Sequence, residues 1–266
     1  MTVPCQATDP PAGAVTLPEG EAHVWYARTS VCDTPALRAY YRSLLSCREK
    51  ERLERFALEH LKLEYLVTRA LCRTVLSAYA NVPPRCWRFR TNSYGRPEID
   101  AGDALPQLRF NLSHARSLVA CVITRTVDAG IDVEDTDRSG ETVSIADHYF
   151  SPQERLALHA LPAERQRLRF LELWTLKESY IKARGMGLSI PLDQFSFLLP
   201  GPPIRIAFEP GLADMTAEWQ FTLFHPDERH IMALGIRRAQ TLLFRLRLRE
   251  TVPGPKLDWT DVPCVY

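Results

Sequence analysis

Trp174-Thr-Leu-Lys-Glu-Ser-Tyr-Ile-Lys182 lies late in a long helical run, and its reading decides how the rest of the chain is assembled. Trp174, Glu178 and Lys182 are spaced i, i+4, i+8, so on an α-helix they stack on one face. Taken as a bare pair, Glu178 and Lys182 describe a surface salt bridge in the favourable order. A large aromatic on the same face changes that reading. A stripe turned toward the core needs its charges satisfied by a partner or a ligand. Lys177 and Arg184 fall off the stripe and are expected to face solvent.

Upstream, Gly130-Ile-Asp132-Val-Glu134 reads as a strand, and its two carboxylates, two residues apart, point to one face. Holding both ionised takes a cation or free solvent. The D-x-E spacing is weak by itself, since a solvated strand end carries the same pattern. Magnesium prefers hard oxygen ligands and keeps waters and substrate phosphates in its shell. Asp132 and Glu134 from a strand with Glu178 from a helix form a sensible set for it.

Two further segments carry polar groups. Phe110-Asn-Leu-Ser-His114 sets Ser113 and His114 at the end of a short strand, as neutral donors to phosphate or adenine or as an ordinary turn. Tyr94-Gly-Arg-Pro97 is a turn in which Gly95 permits close backbone approach and Arg96 offers a bidentate phosphate contact. The stretch from Arg38 to Arg73 is locally basic, either an anion-binding face or a solvated helix surface with i, i+4 pairs.

Around these segments the elements fall in order. Ala22–Arg28 reads as a strand and Pro35–Leu45 as a helix. Ser46-Cys-Arg-Glu49 fits a capping box, and an amphipathic helical run extends to about Ala80. Short strands follow at Cys86–Arg90, Leu108–Asn111, Leu118–Thr124 and Ala129–Glu134. Asp135–Glu141 is polar and marks a boundary. Ser151-Pro152-Gln-Glu154 opens a second capped helix. The long helix runs from about Ala163 to Arg184 and is stopped by Gly185-Met-Gly187. Strands then recur at Gln194–Leu199, Glu218–Phe224, His230–Ile236 and Leu242–Leu248. In the last, Arg245, Arg247 and Arg249 form a basic outer face.

Capped helix, long helix and a strand series thus occur twice. The expected class is α+β: two similar halves, each with helices packed on a small, mostly antiparallel sheet, related by a pseudo-two-fold. The divisions are 1–21 as a loose lead-in, 22–135 and 136–249 as the halves, and 250–266 as a tail.

Bulk properties narrow the function. Lys+Arg 33 against Asp+Glu 32 gives no whole-chain attraction for nucleic acid. No apolar run is long enough to span a membrane, and the first 30 residues show no signal-peptide pattern. Seven cysteines without a C-x-x-C pair read as reduced thiols in a cytoplasmic protein. Neither a Rossmann nor a P-loop glycine motif is present.

The ordered set Tyr94–Pro97, Phe110–His114, Gly130–Glu134 and Trp174–Lys182 followed by Gly185-Met-Gly-Leu188 resembles the 4′-phosphopantetheinyl transferases, in particular the larger, Sfp-type group. The resemblance covers roughly residues 22 to 240. It implies an enzyme that moves the phosphopantetheine arm of coenzyme A onto a serine of an acyl or peptidyl carrier protein and releases adenosine 3′,5′-bisphosphate. It further implies a monomer with Asp132, Glu134 and Glu178 as magnesium ligands. Glu178 is then the base and Lys182 the pyrophosphate contact. Ser113, His114 and Arg52 match positions near the nucleotide and its 3′-phosphate. Two departures stand out: Arg96 replaces the usual lysine of the G-K-P turn, and Glu49 sits where some relatives carry a second phosphate-binding lysine. Two alternatives keep the same motifs, a coenzyme A-binding regulatory module without turnover and a magnesium-dependent nucleotide hydrolase.

Overall fold

In the computed structural model, which describes residues 15–100, 107–140, 143–199, 201, 203–238 and 243–263, the first strand, β1 (Glu21–Arg28), is buried along nearly its whole length. Three helices follow: α1 (Pro35–Leu44), α2 (Cys47–Glu54) and α3 (Glu59–Tyr79). The capping box at α2 forms as the sequence predicts. Ser46 Oγ accepts from the Glu49 amide at 3.3 Å, and the Glu49 carboxylate accepts from the Ser46 amide at 2.9 Å. The helical run is broken between Glu54 and Glu59, where Phe56 turns in against Tyr65.

A small hairpin of β2 (Phe89–Thr91) and β3 (Pro97–Ile99) precedes β4 (Leu108–Ala115), β5 (Leu118–Arg125) and β6 (Ala129–Asp135). The strand expected from Cys86 begins only at Phe89, because Pro84–Cys86 is a 3-10 turn. Helices α4 (Val143–Tyr149), α5 (Pro152–His159) and α6 (Ala163–Arg184) come next. The remaining strands are β7 (Phe195–Leu198), β8 (Arg205–Phe208), β9 (Trp219–Phe224), β10 (His230–Arg237), β11 (Arg245–Val252) and β12 (Asp258–Val262). Leu242, expected to begin the β11 strand, lies outside the described residues, as do 1–14 of the lead-in and 264–266 of the tail.

The architecture is α+β, with two sheets stacked between two helical layers. The larger sheet has the order β12-β11-β1-β5-β4 and the smaller β6-β10-β9. All pairings are antiparallel except β1 with β11. The parallel partner is the strand read from sequence as the last of the second half, so both ends of the described chain share one sheet. Trp25, Ala27, Cys121 and Ile123 turn from β1 and β5 toward the α1–α3 layer. Val24, Tyr26, Ala120 and Val122 turn the other way, onto Ile131, Val133, Met232 and Leu234 of the smaller sheet. This alternation is the period of 2 expected of strands. On its far side the smaller sheet meets α6.

The contact of β6 with α6 is unusually close. A Cβ built at Gly130 would lie 2.1 Å from Ser179 O and 2.3 Å from Ala183 N. Only a residue without a side chain lets strand backbone touch helix backbone there. Gly130 therefore sets how near Asp132 and Glu134 come to Glu178 and Lys182.

Several surface expectations change. Lys177 is fully buried, not solvent-facing: its ammonium pairs with Glu154 at 2.8 Å and donates to the carbonyls of Leu192 and Phe195, both at 2.7 Å. Glu154 is also the capping-box residue of α5, so one buried pair ties α5, α6 and β7 together. Removing one partner of such a pair leaves a buried charge uncompensated. Arg184 likewise turns inward, to Asp214 and the Tyr180 hydroxyl. Trp174 is half-buried rather than enclosed, stacked on Phe170 and Phe150 at 5.8 and 6.5 Å. Arg245 and Arg247 are exposed as expected, but Arg249 lies between the rings of Trp25 and Trp259. Cys86 is disulfide-bonded, contrary to the expectation of seven reduced thiols; Cys32, Cys47, Cys72 and Cys121 are free. Among the described residues no helix is long and apolar enough to cross a membrane.

Candidate active site

The site forms where the two sheets meet edge to edge. β4 and β6 are both edge strands, and they join through side chains instead of a backbone ladder. The Ile131 amide donates to Asn111 Oδ1 at 3.0 Å, and the Val133 amide donates to Ser113 Oγ at 3.2 Å. Asn111 and Ser113 are both buried, and their neutral oxygens satisfy amides that burial would otherwise leave unpaired. Sequence reading gave Asn111 no role. The signal was its alternation with Ser113, which puts two short polar side chains, both buried, on one face of the strand.

Ser113 thereby becomes part of a tight cluster. Its hydroxyl donates to Asp132 Oδ1 at 2.9 Å and accepts from Lys182 Nζ at 2.9 Å. Lys182 also reaches Asp132 Oδ1 directly, at 2.6 Å. Its partner is thus across the strand–helix contact, not Glu178 on its own helix. Glu134 is held by Arg138 at 2.7 Å. A cleft of about 600 Å³ opens over this cluster, lined by Ser113, His114, Asp132, Glu134, Arg138 and Lys182. His114 is more than half exposed and pairs with Glu64 of α3.

Three carboxylates here repel one another. Burial pushes the Glu178 carboxyl up to about 6, with Asp132 and Glu134 adding to the rise and Lys182 opposing it. Burial and then Asp132 raise Glu134 as well, against the pull of Arg138. Asp132 Oδ2 is buried without a protein partner among the described residues. An orphaned carboxylate oxygen beside two carboxyls shifted toward protonation is a donor set that could hold a hard cation. No group of three His, Cys, Asp or Glu side chains among the described residues is arranged to hold a metal; Lys182 pairs with Asp132 and Arg138 with Glu134.

Arg52 and Arg96 are not brought to this cluster. Arg52 lines a second cleft of about 730 Å³ with Arg48, Arg55, Arg69 and Tyr65, its guanidinium 5.7 Å from the Tyr65 ring centre. Arg96 differs from the exposed turn tip expected. Its side chain is 8% exposed, donates to Ala183 O at 2.8 Å, pairs with Asp128 at 3.2 Å and packs on Gly185. Together with Asn92, which donates to Gly185 O at 2.7 Å, it satisfies carbonyls that the end of α6 leaves open. Glu49 pairs with Arg73 at 2.6 Å, which answers the charge reversal at that position.

Known proteins resemble this chain along most of its length. Residues 128–235 match the sequence model of the 4′-phosphopantetheinyl transferase superfamily, and residues 34–125 that of a 4′-phosphopantetheinyl transferase N-terminal region. The 4′-phosphopantetheinyl transferase HetI of Nostoc sp. is 29% identical over 223 residues, covering 84% of this chain and 90% of that protein. The 4′-phosphopantetheinyl transferase Sfp of Bacillus subtilis is 35% identical over 159 residues, 60% of this chain and 68% of Sfp. The 4′-phosphopantetheinyl transferase gsp of Aneurinibacillus migulanus is 37% identical over 131 residues, 49% of this chain and 52% of that protein.

Proposed function

The chain belongs to the 4′-phosphopantetheinyl transferase superfamily, and within it we propose a magnesium-dependent enzyme that converts apo to holo carrier protein, with coenzyme A as donor and adenosine 3′,5′-bisphosphate as second product. The observation that carries this reading is the convergence of Asp132 and Glu134 on β6 with Lys182 on α6 in one cleft, beside Ser113 and His114. The orphaned Asp132 Oδ2 and the raised Glu134 and Glu178 carboxyls fit a magnesium ion, which Asp132, Glu134 and Glu178 would hold. When bound, magnesium supplies charge neutralisation for a transferring phosphoryl group.

The chain's own residues do the rest. Glu178, with a carboxyl near 6 in the metal-free site, takes the proton of the carrier serine, directly or through a water. The serine oxygen bonds to the phosphorus that bears pantetheine, and the P–O bond to the adenosine side of the diphosphate breaks. Lys182 stabilises charge on the departing phosphate. Ser113 and His114 border the nucleotide. Arg52, in the second cleft, is the candidate for the 3′-phosphate, and Arg96 serves by fixing the end of α6. Acidic carriers would be steered by the arginines that follow Ser46.

The halves 22–135 and 136–249 are part of the same reading. Each holds a capping-box helix (Ser46, Ser151), then a long helix, then a series of strands, an order that supports a pseudo-two-fold relation. The reaction is that of a cytoplasmic enzyme serving fatty-acid, polyketide or nonribosomal-peptide carriers, with no nucleic acid or membrane partner.

Incubation with coenzyme A, magnesium and a panel of apo carriers, followed by mass spectrometry, is expected to add one phosphopantetheine to at least one carrier. Tight coenzyme A binding with no gain on any carrier would favour the regulatory module, and release of nucleotide without carrier the hydrolase.

A further inference from the structure

We propose that Arg138 is an exchangeable counter-ion of the site: it neutralises Glu134 in the metal-free protein and passes to the diphosphate of coenzyme A when the metal takes that carboxylate. This rests on the metal site proposed above. Arg138 is held to Glu134 at 2.7 Å with its side chain about one-third exposed, and it lines the same cleft as Ser113 and Lys182. Its backbone is anchored on both flanks. Asp135 accepts from Arg229 through both carboxylate oxygens at 2.9 Å. Thr136 N and Oγ1 both donate to Arg229 O, at 2.8 and 2.9 Å. From α6, Arg167 grips the carbonyls of Thr136, Arg138 and Gly140. The loop is pinned while, among the described residues, the guanidinium's partner is the Glu134 side chain, so the side chain can swing without the loop moving.

Charge balance gives the exchange its direction. Asp132, Glu134 and Glu178 face two internal cations, Lys182 on Asp132 and Arg138 on Glu134. A divalent cation that takes the carboxylates sets both side-chain cations free over the cleft and reverses the sign of the local charge. A diphosphate presents paired anionic oxygens to them, and a guanidinium binds such oxygens in bidentate fashion. Metal and coenzyme A therefore bind with positive coupling, and Arg138 carries part of it.

Magnesium titrations by calorimetry, with and without coenzyme A, test this on wild type, Arg138→Gln and Arg138→Lys. Without coenzyme A, Arg138→Gln is expected to bind magnesium about 2- to 5-fold more tightly, the value of one partly exposed ion pair removed from competition. The gain in magnesium affinity on adding coenzyme A should shrink in the same variant, and the KM for coenzyme A should rise roughly tenfold, as for a lost charged hydrogen bond. Arg138→Lys should fall between. A residue that merely braced the loop would weaken both ligands together. Magnesium binding no tighter in Arg138→Gln, or full coupling retained, would overturn the proposal while the metal site stood. No magnesium binding by the wild type would overturn both.

Discussion

Replacing Glu178 by Gln is expected to abolish transfer and yet make the metal-free protein more stable at neutral pH. Loss of a base alone lowers turnover by roughly 10²–10⁴-fold, and loss of a metal ligand adds to that. The stability gain follows from the raised carboxyl. In the folded chain Glu178 ionises at about 6 against an ordinary value of 4.5. A carboxyl raised in this way favours the folded state only while protonated. Its penalty is absent below the unfolded value, grows as pH rises between the two, and is full above the folded value. Gln stays neutral throughout, so above about pH 7 it removes about 1–2 kcal/mol of destabilisation. Urea unfolding in the presence of a chelator, at about pH 4 and about pH 8, measures this. The variant should gain only at the higher pH. An equal effect at both would mean the carboxyl is not strained by its neighbours. Activity and stability move in opposite directions here, as they do where a site is built for function at the expense of the fold.

Gly130→Ala is expected to damage both. The new methyl would sit 2.1 Å from Ser179 O and 2.3 Å from Ala183 N, backbone atoms of α6 that have no rotamer to change. The helix must retreat, at a cost of about 1–3 kcal/mol or more. The retreat carries Lys182 and Glu178 away from Asp132, and a misplacement near 1 Å costs about 10²-fold in rate. Gly211→Ala is the control, since its methyl would meet nothing closer than Gln194 Oε1 at 3.7 Å. Thermal melts with the transfer assay on both variants decide the matter. A Gly130→Ala protein as stable and active as the control would remove the close contact from the account.

Much of this arrangement was legible in the sequence because local rules set it. The two capping boxes, the glycine stop of α6 and the alternation in β11 each depend on a few adjacent residues, and α6, β5 and β10 form within a residue of their expected ends. The spacing of Asp132 and Glu134 correctly put both on one face. What escaped is set by packing between distant segments. Lys177 reads as solvent-facing because it falls off the stripe, and only the packing of α5 and β7 on α6 seals it against Glu154. Arg96 reads as a turn-tip cation until the end of α6 is placed against it. The parallel pairing of β11 with β1 joins segments more than 200 residues apart, and no local pattern encodes it. Asn111 escaped because its partner is a backbone amide of another sheet, which no side-chain motif reveals.

We propose that β6 and α6 share one magnesium ion through Asp132, Glu134 and Glu178. The most direct test is the stoichiometry and affinity of magnesium, measured calorimetrically with coenzyme A present, in wild type and in Asp132→Asn, Glu134→Gln and Glu178→Gln. One ion per wild-type chain is expected, with binding weakened by more than about tenfold in each variant, beyond what loss of an outer-shell partner already costs. Unchanged affinity in Glu178→Gln would take α6 out of the metal site and contradict the account.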